Sequence, residues 1–291
     1  MDIFQFYLLC GFIIIFILIG CFGNIISIII FMKKEFITQS TTFYLITSSI
    51  INIITVFNLP VLVFPEIWNS SAILCKILGG FTLILFQLQS WVYVLCSLDR
   101  CLTTIASGKF LWKNKKLFQT ALVLFCFFII ILISAPPIYF YEKSIVISSN
   151  VTYSVCSFPN SVTWAFPYFQ YQFVFLRIII PFTITIIASF LTIYKLCASK
   201  RKMGKSEWKN MRREVQFSRA LIIMDILFII FRLPTFINTI LNNHSTFVYS
   251  FSYSIFGVLG AVHNVFLFFI FIVFNRIYRK LFKQSMCCRK T

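Results

Sequence analysis

An all-α membrane protein, a single bundle of seven membrane-crossing helices followed by a short amphipathic eighth, is what this 291-residue sequence predicts. Three observations carry that expectation. First, 59% of the residues are hydrophobic and only 12% charged, with a mean hydropathy of +0.91; a soluble surface needs roughly 25% charge. Second, the apolar residues fall into seven long continuous runs. Third, most of the 26 Lys and Arg residues gather in the connectors between those runs. A net charge of +18 could suit nucleic acid, but charges clustered in connectors orient a membrane protein rather than line a phosphate-binding groove.

The apolar stretches cover residues 7–32, 41–65, 74–104, 117–140, 166–197, 217–241 and 247–274. Each is near or above the roughly 20 residues that a helix needs to span a bilayer. Runs such as IIIFILIG and LVLFCFFIIILI are continuous, without the period-two alternation of barrel strands, so helices satisfy the backbone here. The first run lacks a basic leader and is followed by Lys33 and Lys34, which makes it the first span rather than a signal peptide. The sixth helix is expected to reach back to residue 208, giving 208–241, and the segment 275–286 reads as the amphipathic eighth. Six or eight spans would follow from a different reading of 166–197 or 275–286. The whole chain, 1–291, is one domain.

Lys and Arg in the loops set the orientation. One side carries Lys33, Lys34, Lys109, Lys113, Lys115, Lys116, the basic cluster within 195–213, and the tail bases Arg276, Arg279, Lys280, Lys283, Arg289 and Lys290. The other side has little beyond Lys76 and Lys143. The amino terminus is therefore expected outside and the carboxyl terminus in the cytoplasm. Three N-x-S/T sequons, at Asn69, Asn150 and Asn243, all fall in connectors assigned outside.

The third stretch opens at Cys75 and closes at Asp99-Arg100-Cys101. That layout resembles the rhodopsin-like G-protein-coupled receptors, whose third helix runs between a disulfide cysteine and an Asp-Arg-Tyr motif. Further matches follow in order along nearly the whole chain: Gly23-Asn24 in helix 1, Asn52 where helix 2 normally has Asp, Trp68 in the first outer loop and Cys156 in the second. Pro181 and Pro234 match the prolines of helices 5 and 6, and FNRIYRKLF before Cys287-Cys288 is similar to the eighth helix and its acylated end.

The resemblance implies a Cys75–Cys156 disulfide on the oxidising side, pinning the second outer loop over the bundle. It implies a lock in which Arg100, beside Asp99, is held by Glu214 at the start of helix 6, twenty residues before Pro234. An interfacial arginine that merely snorkels is the plainer alternative. Cys287 and Cys288 suit acylation, or are two solvated thiols. Cys96, Cys101, Cys126 and Cys197 read as packing residues, and Cys10 and Cys21 carry no assigned role.

Several family positions are altered. Helix 6 reads Phe231-Arg232-Leu233-Pro234 instead of Cys-Trp-x-Pro, and helix 7 reads Leu267-Phe268-Phe269-Ile270-Phe271 instead of Asn-Pro-x-x-Tyr. That last stretch is similar to the Asn-Phe-Phe-Ile-Tyr variant of some invertebrate peptide receptors. The helix 4 tryptophan is absent. Asn52, Gln89, His263 and Leu267 stand where the family holds a sodium ion, and no carboxylate remains; a hard cation wants oxygen ligands and negative charge, so no sodium control is expected.

Intramembrane charges are costly unless paired or wet, and so mark function. Arg177, one turn outward of Pro181, and Arg232, two residues before Pro234, occupy cavity-facing family positions and point to an anionic group on the ligand. Outward snorkelling of Arg177 or internal pairing of Arg232 are the alternatives. Thr82, seven residues after Cys75, joins them as a ligand-binding candidate; amine receptors need an acid there, so an amine receptor is excluded. No Lys occurs in 247–274 for a retinal Schiff base. Asp225 has no assigned role. With no paired carboxylates, G-x-S-x-G, P-loop or metal spacing, and only His244 and His263, neither enzyme chemistry, a metal nor a cofactor is expected.

The sequence thus predicts a plasma-membrane receptor. Its expected partners are an extracellular peptide or small acid, a heterotrimeric G protein and membrane lipids, and no nucleic acid. A chemosensory receptor for small molecules and a non-signalling decoy or scaffold are the competing readings.

Overall fold

A computed structural model describes residues 3–63, 71–105, 115–140, 142–148, 151–157, 164, 167–168, 171–202, 205–241 and 251–286. Its helices are α1 (Ile3–Phe31), the single turn α2 (Lys34–Ile37), α3 (Ser40–Phe57), α4 (Leu59–Val63), α5 (Ala72–Ile105) and α6 (Lys115–Phe140). A π-helical segment, Gln172–Ile179, leads into α7 (Ile180–Lys202), and α8 (Lys205–Leu241), α9 (Phe251–Phe274) and α10 (Arg276–Met286) follow. Among the described residues, five helical stretches are long and apolar enough to cross a membrane: Tyr7–Phe31, Ser40–Phe57, Ala72–Ile105, Lys116–Phe140 and Val174–Ser199. Neighbouring helices close into a ring: α1 packs on α3, α3 on α5, α5 on α6 and α7, α7 on α8, α8 on α9 and α9 back on α1.

Burial sorts the helices by position. In the apolar window of α3, 56% is buried inside the protein, in that of α5 50%, and in that of α6 only 12%. So α5 and α3 run through the interior while α6 turns Leu124, Phe125, Phe128 and Leu132 outward, as a lipid-facing helix must. Several hydroxyls within the spans are satisfied locally. Ser27, Ser49, Thr55, Thr185 and Thr192 each donate to the carbonyl four residues back, at 2.7–2.9 Å; hydrocarbon offers them no other acceptor.

Three local features depart from the expected helices. The stretch 41–65, read as one helix, breaks after Phe57: Pro60 lacks an N–H and crowds the preceding turn, so α3 ends at Asn58 and α4 begins anew. The fifth helix opens with a π-helical segment in which the Ile180 N–H bonds back to Phe175. Pro181 has no N–H with which to close the next turn, and the widened coil is the result.

The bundle is all-α as expected, and the connector after α6 adds an antiparallel hairpin, β1 (Glu142–Ser148) and β2 (Val151–Ser157), with Ser148 opposite Val151 and Lys143 opposite Cys156. The β-branched residues on both strands, Ile145, Val146 and Ile147 on one and Val151, Thr152 and Val155 on the other, favour it.

Small residues let the helices approach. A Cβ on Gly23 would lie 3.0 Å from Phe268 Cβ, and one on Gly20 would lie 3.1 Å from Val56 Cγ2. Gly23→Val therefore wedges α1 away from α9. The expected cost is about 1–3 kcal/mol, read as a lower melting temperature of the detergent-solubilised protein, whereas Gly11→Val, where no atom stands within 4 Å, leaves it unchanged.

Candidate functional site

The sequence candidates fall at two levels of the bundle, with a polar layer between them. At the end where α5 finishes and α3 and α6 begin, Arg100 is 7% exposed and its guanidinium lies 4.4 Å from the centre of the Phe217 ring on α8. Glu214 sits three residues earlier on that helix. A buried guanidinium against an aromatic face is an attractive cation–π contact. Asp99, expected as the acid beside Arg100, is engaged from the other side. Its Oδ2 accepts the Ser40 hydroxyl at 2.6 Å and the Thr41 hydroxyl at 2.9 Å. Both donors belong to the first turn of α3, where the helix dipole also favours an anion. Gln119 of α6 donates to the Ser40 carbonyl at 3.0 Å, so three helices meet at this carboxylate.

Phe217 belongs to a ring cluster that the sequence did not reveal. Its centroid stands 5.5 Å from Phe271 and 6.3 Å from Phe36. Phe271 in turn lies 5.1 Å from Phe31 and 5.5 Å from Tyr278. All five rings are at most 1% exposed, and they come from α1, α2, α8, α9 and α10. Each such pair adds about 0.5–1.5 kcal/mol beyond its burial. Phe271, aligned with the tyrosine of Asn-Pro-x-x-Tyr, can only pack. The hydroxyl here comes from Tyr278, which shares a 2.8 Å hydrogen bond with Ser27. Burial pushes the Tyr278 phenol well above its ordinary value, with the Ser27 bond opposing, so it stays protonated. Asn275 caps α10 by accepting from the Ile277 and Tyr278 N–H groups at 3.1 Å.

Above this plug lies a layer of neutral amides from four helices: Asn24, Asn52, Gln89 and Asn264, each at most 1% exposed. Gln89 Nε2 donates to Oδ1 of both Asn52 and Asn264. Asn52 Nδ2 donates to Asn24 Oδ1 at 3.1 Å, and Asn24 Nδ2 reaches the carbonyls of Gly20 at 2.8 Å and Asn264 at 3.0 Å. Asn264 was missed in the sequence, where a lone Asn in a Phe-rich run looks like any other. An amide N–H₂ occupies the point where the side-chain oxygens converge. That group repels a cation, and no carboxylate is present among the four. His263, beside this layer, packs edge-on against Phe228 at 5.1 Å and Tyr93 at 6.3 Å. Leu267 is fully buried in the main core.

Toward the other end, Arg177 in the π-helical segment is 6% exposed, with its guanidinium 4.4 Å over the Phe86 ring of α5. It therefore faces into the bundle rather than snorkelling outward. Thr82, one turn before Phe86, is turned to α3: its hydroxyl accepts from Asn58 Nδ2 at 2.6 Å and donates to the Leu78 carbonyl at 2.8 Å. Arg232 is placed on α8, two residues before Pro234. Asp225, unassigned in the sequence, accepts the Ser189 hydroxyl at 3.2 Å and ties α8 to α7. Cys75 is disulfide-bonded and fully buried, and β1 packs against its helix. Asn69, Asn150, Asn243, Cys287, Cys288 and Trp68 lie outside the described residues.

The amide layer makes a direct prediction. Replacing sodium with N-methylglucamine at constant ionic strength leaves the melting temperature of the purified protein unchanged. In Asn52→Asp with Gln89→Ser, a carboxylate replaces the amide and the competing donor is gone, so sodium raises the melting temperature.

Comparison with known proteins agrees with this geometry. A C-C chemokine receptor type 8 from Macaca mulatta is 23% identical over 212 residues, covering 71% of this chain and 56% of that protein. The chain thus matches little more than half the length of that relative. The pattern of the 7 transmembrane receptor (rhodopsin family) matches residues 23–266, from Gly23 in α1 to Phe266 in α9. That span takes in the amide layer, Asp99-Arg100, Arg177 and Phe217. The chain is a multi-pass membrane protein that belongs to the rhodopsin family of seven-transmembrane receptors, a family of receptors and not of enzymes.

Proposed function

We propose that this protein is a plasma-membrane G-protein-coupled receptor that converts binding of an extracellular polypeptide or small acid into opening of its cytoplasmic end. The observation that carries the reading is the seat of Arg100 on Phe217. It joins the third and sixth spans at the end where a G protein would enter. The two helices are also joined to the surrounding rings, so the contact describes a closed state. A ligand that favours their separation would shift the population toward an open one.

Orientation follows from the bases. Lys33, Lys34, Lys116 and the exposed Arg276, Arg279, Lys280 and Lys283 share the Arg100 end, which is the cytoplasmic end in this reading. Those bases would meet acidic headgroups and the G protein, with Cys287 and Cys288 as acylation sites and Asn69, Asn150 and Asn243 bearing sugars outside. Cys156 is the proposed partner of Cys75. Cys10, Cys21, Cys96, Cys101, Cys126 and Cys197 are free, and Cys156 lies on the hairpin whose first strand packs against α5. Glu214 is a further holder of Arg100, one turn from Phe217.

The ligand reading rests on Arg177. A guanidinium buried in the interior on an aromatic ring favours a ligand that carries a carboxylate, with Arg232 as the second base. The relative named for chemokines favours a polypeptide ligand. A second reading, a binding protein that does not signal, is favoured by Leu267 and Phe271 in place of the helix 7 polar residues.

Nucleotide exchange on a G protein, measured in membranes of expressing cells against a panel of peptides and small acids, decides between the two readings. No stimulated exchange with any ligand that binds leaves the non-signalling reading. Phe217→Ala removes the ring under Arg100, and loss of even about 1.4 kcal/mol from the closed state is a tenfold population shift. Basal exchange is expected to rise by about that factor, and Glu214→Ala should raise it too. Arg177→Ala is expected to weaken an acidic ligand about 10–100-fold, the worth of a charge-assisted hydrogen bond, and to leave basal exchange alone.

A further inference from the structure

On the lipid-facing side of the bundle, a cavity of about 180 Å³ opens between α5, α6 and the π-helical segment. Its walls include Trp91 of α5, Phe125, Ile129 and Ile133 of α6, and Leu176 of the π-helical segment. Phe125 is 61% exposed, so the mouth faces the bilayer. Among the described residues, one polar side chain with free capacity lines it. Gln87 is 2% exposed; its Oε1 accepts the Ser134 hydroxyl at 3.1 Å, while its Nε2 has no hydrogen-bond partner. The neighbouring indole is already committed, because Trp91 Nε1 donates to the Leu176 carbonyl at 3.1 Å.

The depth of Gln87 narrows the occupant. It lies twelve residues from Cys75 and thirteen from Arg100, about 18–20 Å from either end at ~1.5 Å per residue. That is the middle of a hydrocarbon layer about 30 Å thick, far from lipid ester carbonyls and from water. Acyl chains carry no acceptor, so a buried amide N–H₂ at this depth is unmet by ordinary lipid. Among the described residues, no ionisable acid or base lines the cavity apart from the Cys126 thiol, and an anion there would be unpaired. The volume is close to that of a cavity that takes a single benzene-sized ring, about 150 Å³.

We propose that this cavity is a second binding site, entered from the bilayer, for a neutral lipophilic molecule with a ring-sized apolar group and one hydrogen-bond acceptor, a ketone or ether oxygen, held by Gln87 Nε2. Gln87 and Leu176 are the chain neighbours of Phe86 and Arg177, which face the bundle interior in contact with each other. The site therefore lies back to back with the buried arginine, and it exists whether or not the chain signals.

The full-length protein in lipid nanodiscs is irradiated with benzophenone, whose ketone is both the acceptor and the photoreactive group, and adducts are mapped by mass spectrometry. Labelling is expected to saturate and to concentrate on the 125–133 segment and on Leu176. Dicyclohexyl ketone should compete, and dicyclohexylmethane, which has the same rings without the oxygen, should compete about fivefold less well. Gln87→Leu should lower the labelling about fivefold, and Ile129→Trp, which fills the cavity without touching the amide, should abolish it. Adducts spread evenly over the lipid-facing residues of α1 and α6, or labelling equal in wild type and Gln87→Leu, would overturn the proposal.

Discussion

In hydrocarbon a polar group that lacks a protein partner has none, and the architecture of this bundle follows from that constraint. It explains why the hydroxyls of α1, α3 and α7 turn back on their own helices. It explains why the four interior amides come from four helices rather than one: an amide has more donor and acceptor positions than a single neighbour can fill. The same pressure draws Asp99 to two hydroxyls at the start of α3 and lays Arg100 on a ring. Helix packing in such a medium has little hydrophobic drive, so close approach at Gly20 and Gly23 and shared hydrogen bonds supply the adhesion.

Two kinds of fastening result, and they differ in character. The amide layer ties α1, α3, α5 and α9 through directional bonds without net charge. The ring cluster below it ties α1, α2, α8, α9 and α10 by shape, with Tyr278 supplying one hydroxyl contact to Ser27. Family members divide this work among an acid, an Asn-Pro-x-x-Tyr stretch and a tryptophan; here aromatic volume takes much of it over. A receptor can therefore lose several signature residues and keep a closed interior, provided the replacements fill the same space.

Much of the architecture was legible in the sequence, for physical reasons. Continuous apolar runs bounded by lysines can hardly be anything but spans, and Asp99-Arg100 stood out because charge is rare in such runs. The break after Phe57 was readable in Pro60. The hairpin was readable too, in the β-branched run Ile145-Val146-Ile147 and in the alternation of Val151, Tyr153 and Val155 with polar residues beyond it, although a short connector invites no such scrutiny. Phe217 was not legible. Among 38 phenylalanines, nothing local marks the one that meets a guanidinium from another helix. Arg177 lay between: its place near Pro181 suggested an inward direction, but only the packing against Phe86 distinguishes inward from outward.

Tyr278 belongs both to the buried rings and to α10, whose exposed face carries Arg276, Arg279, Lys280 and Lys283. In the proposed orientation, the latch at this end of the bundle has one part fixed inside and one part resting on the inner leaflet. Phe271 packs on both Phe217 and Tyr278, so displacing Phe217 would bear on a helix moored to that surface. The electrostatic pull of the leaflet on four cations then becomes part of the work of unlatching, and the surrounding lipid acts as a mechanical component of the receptor rather than as its container.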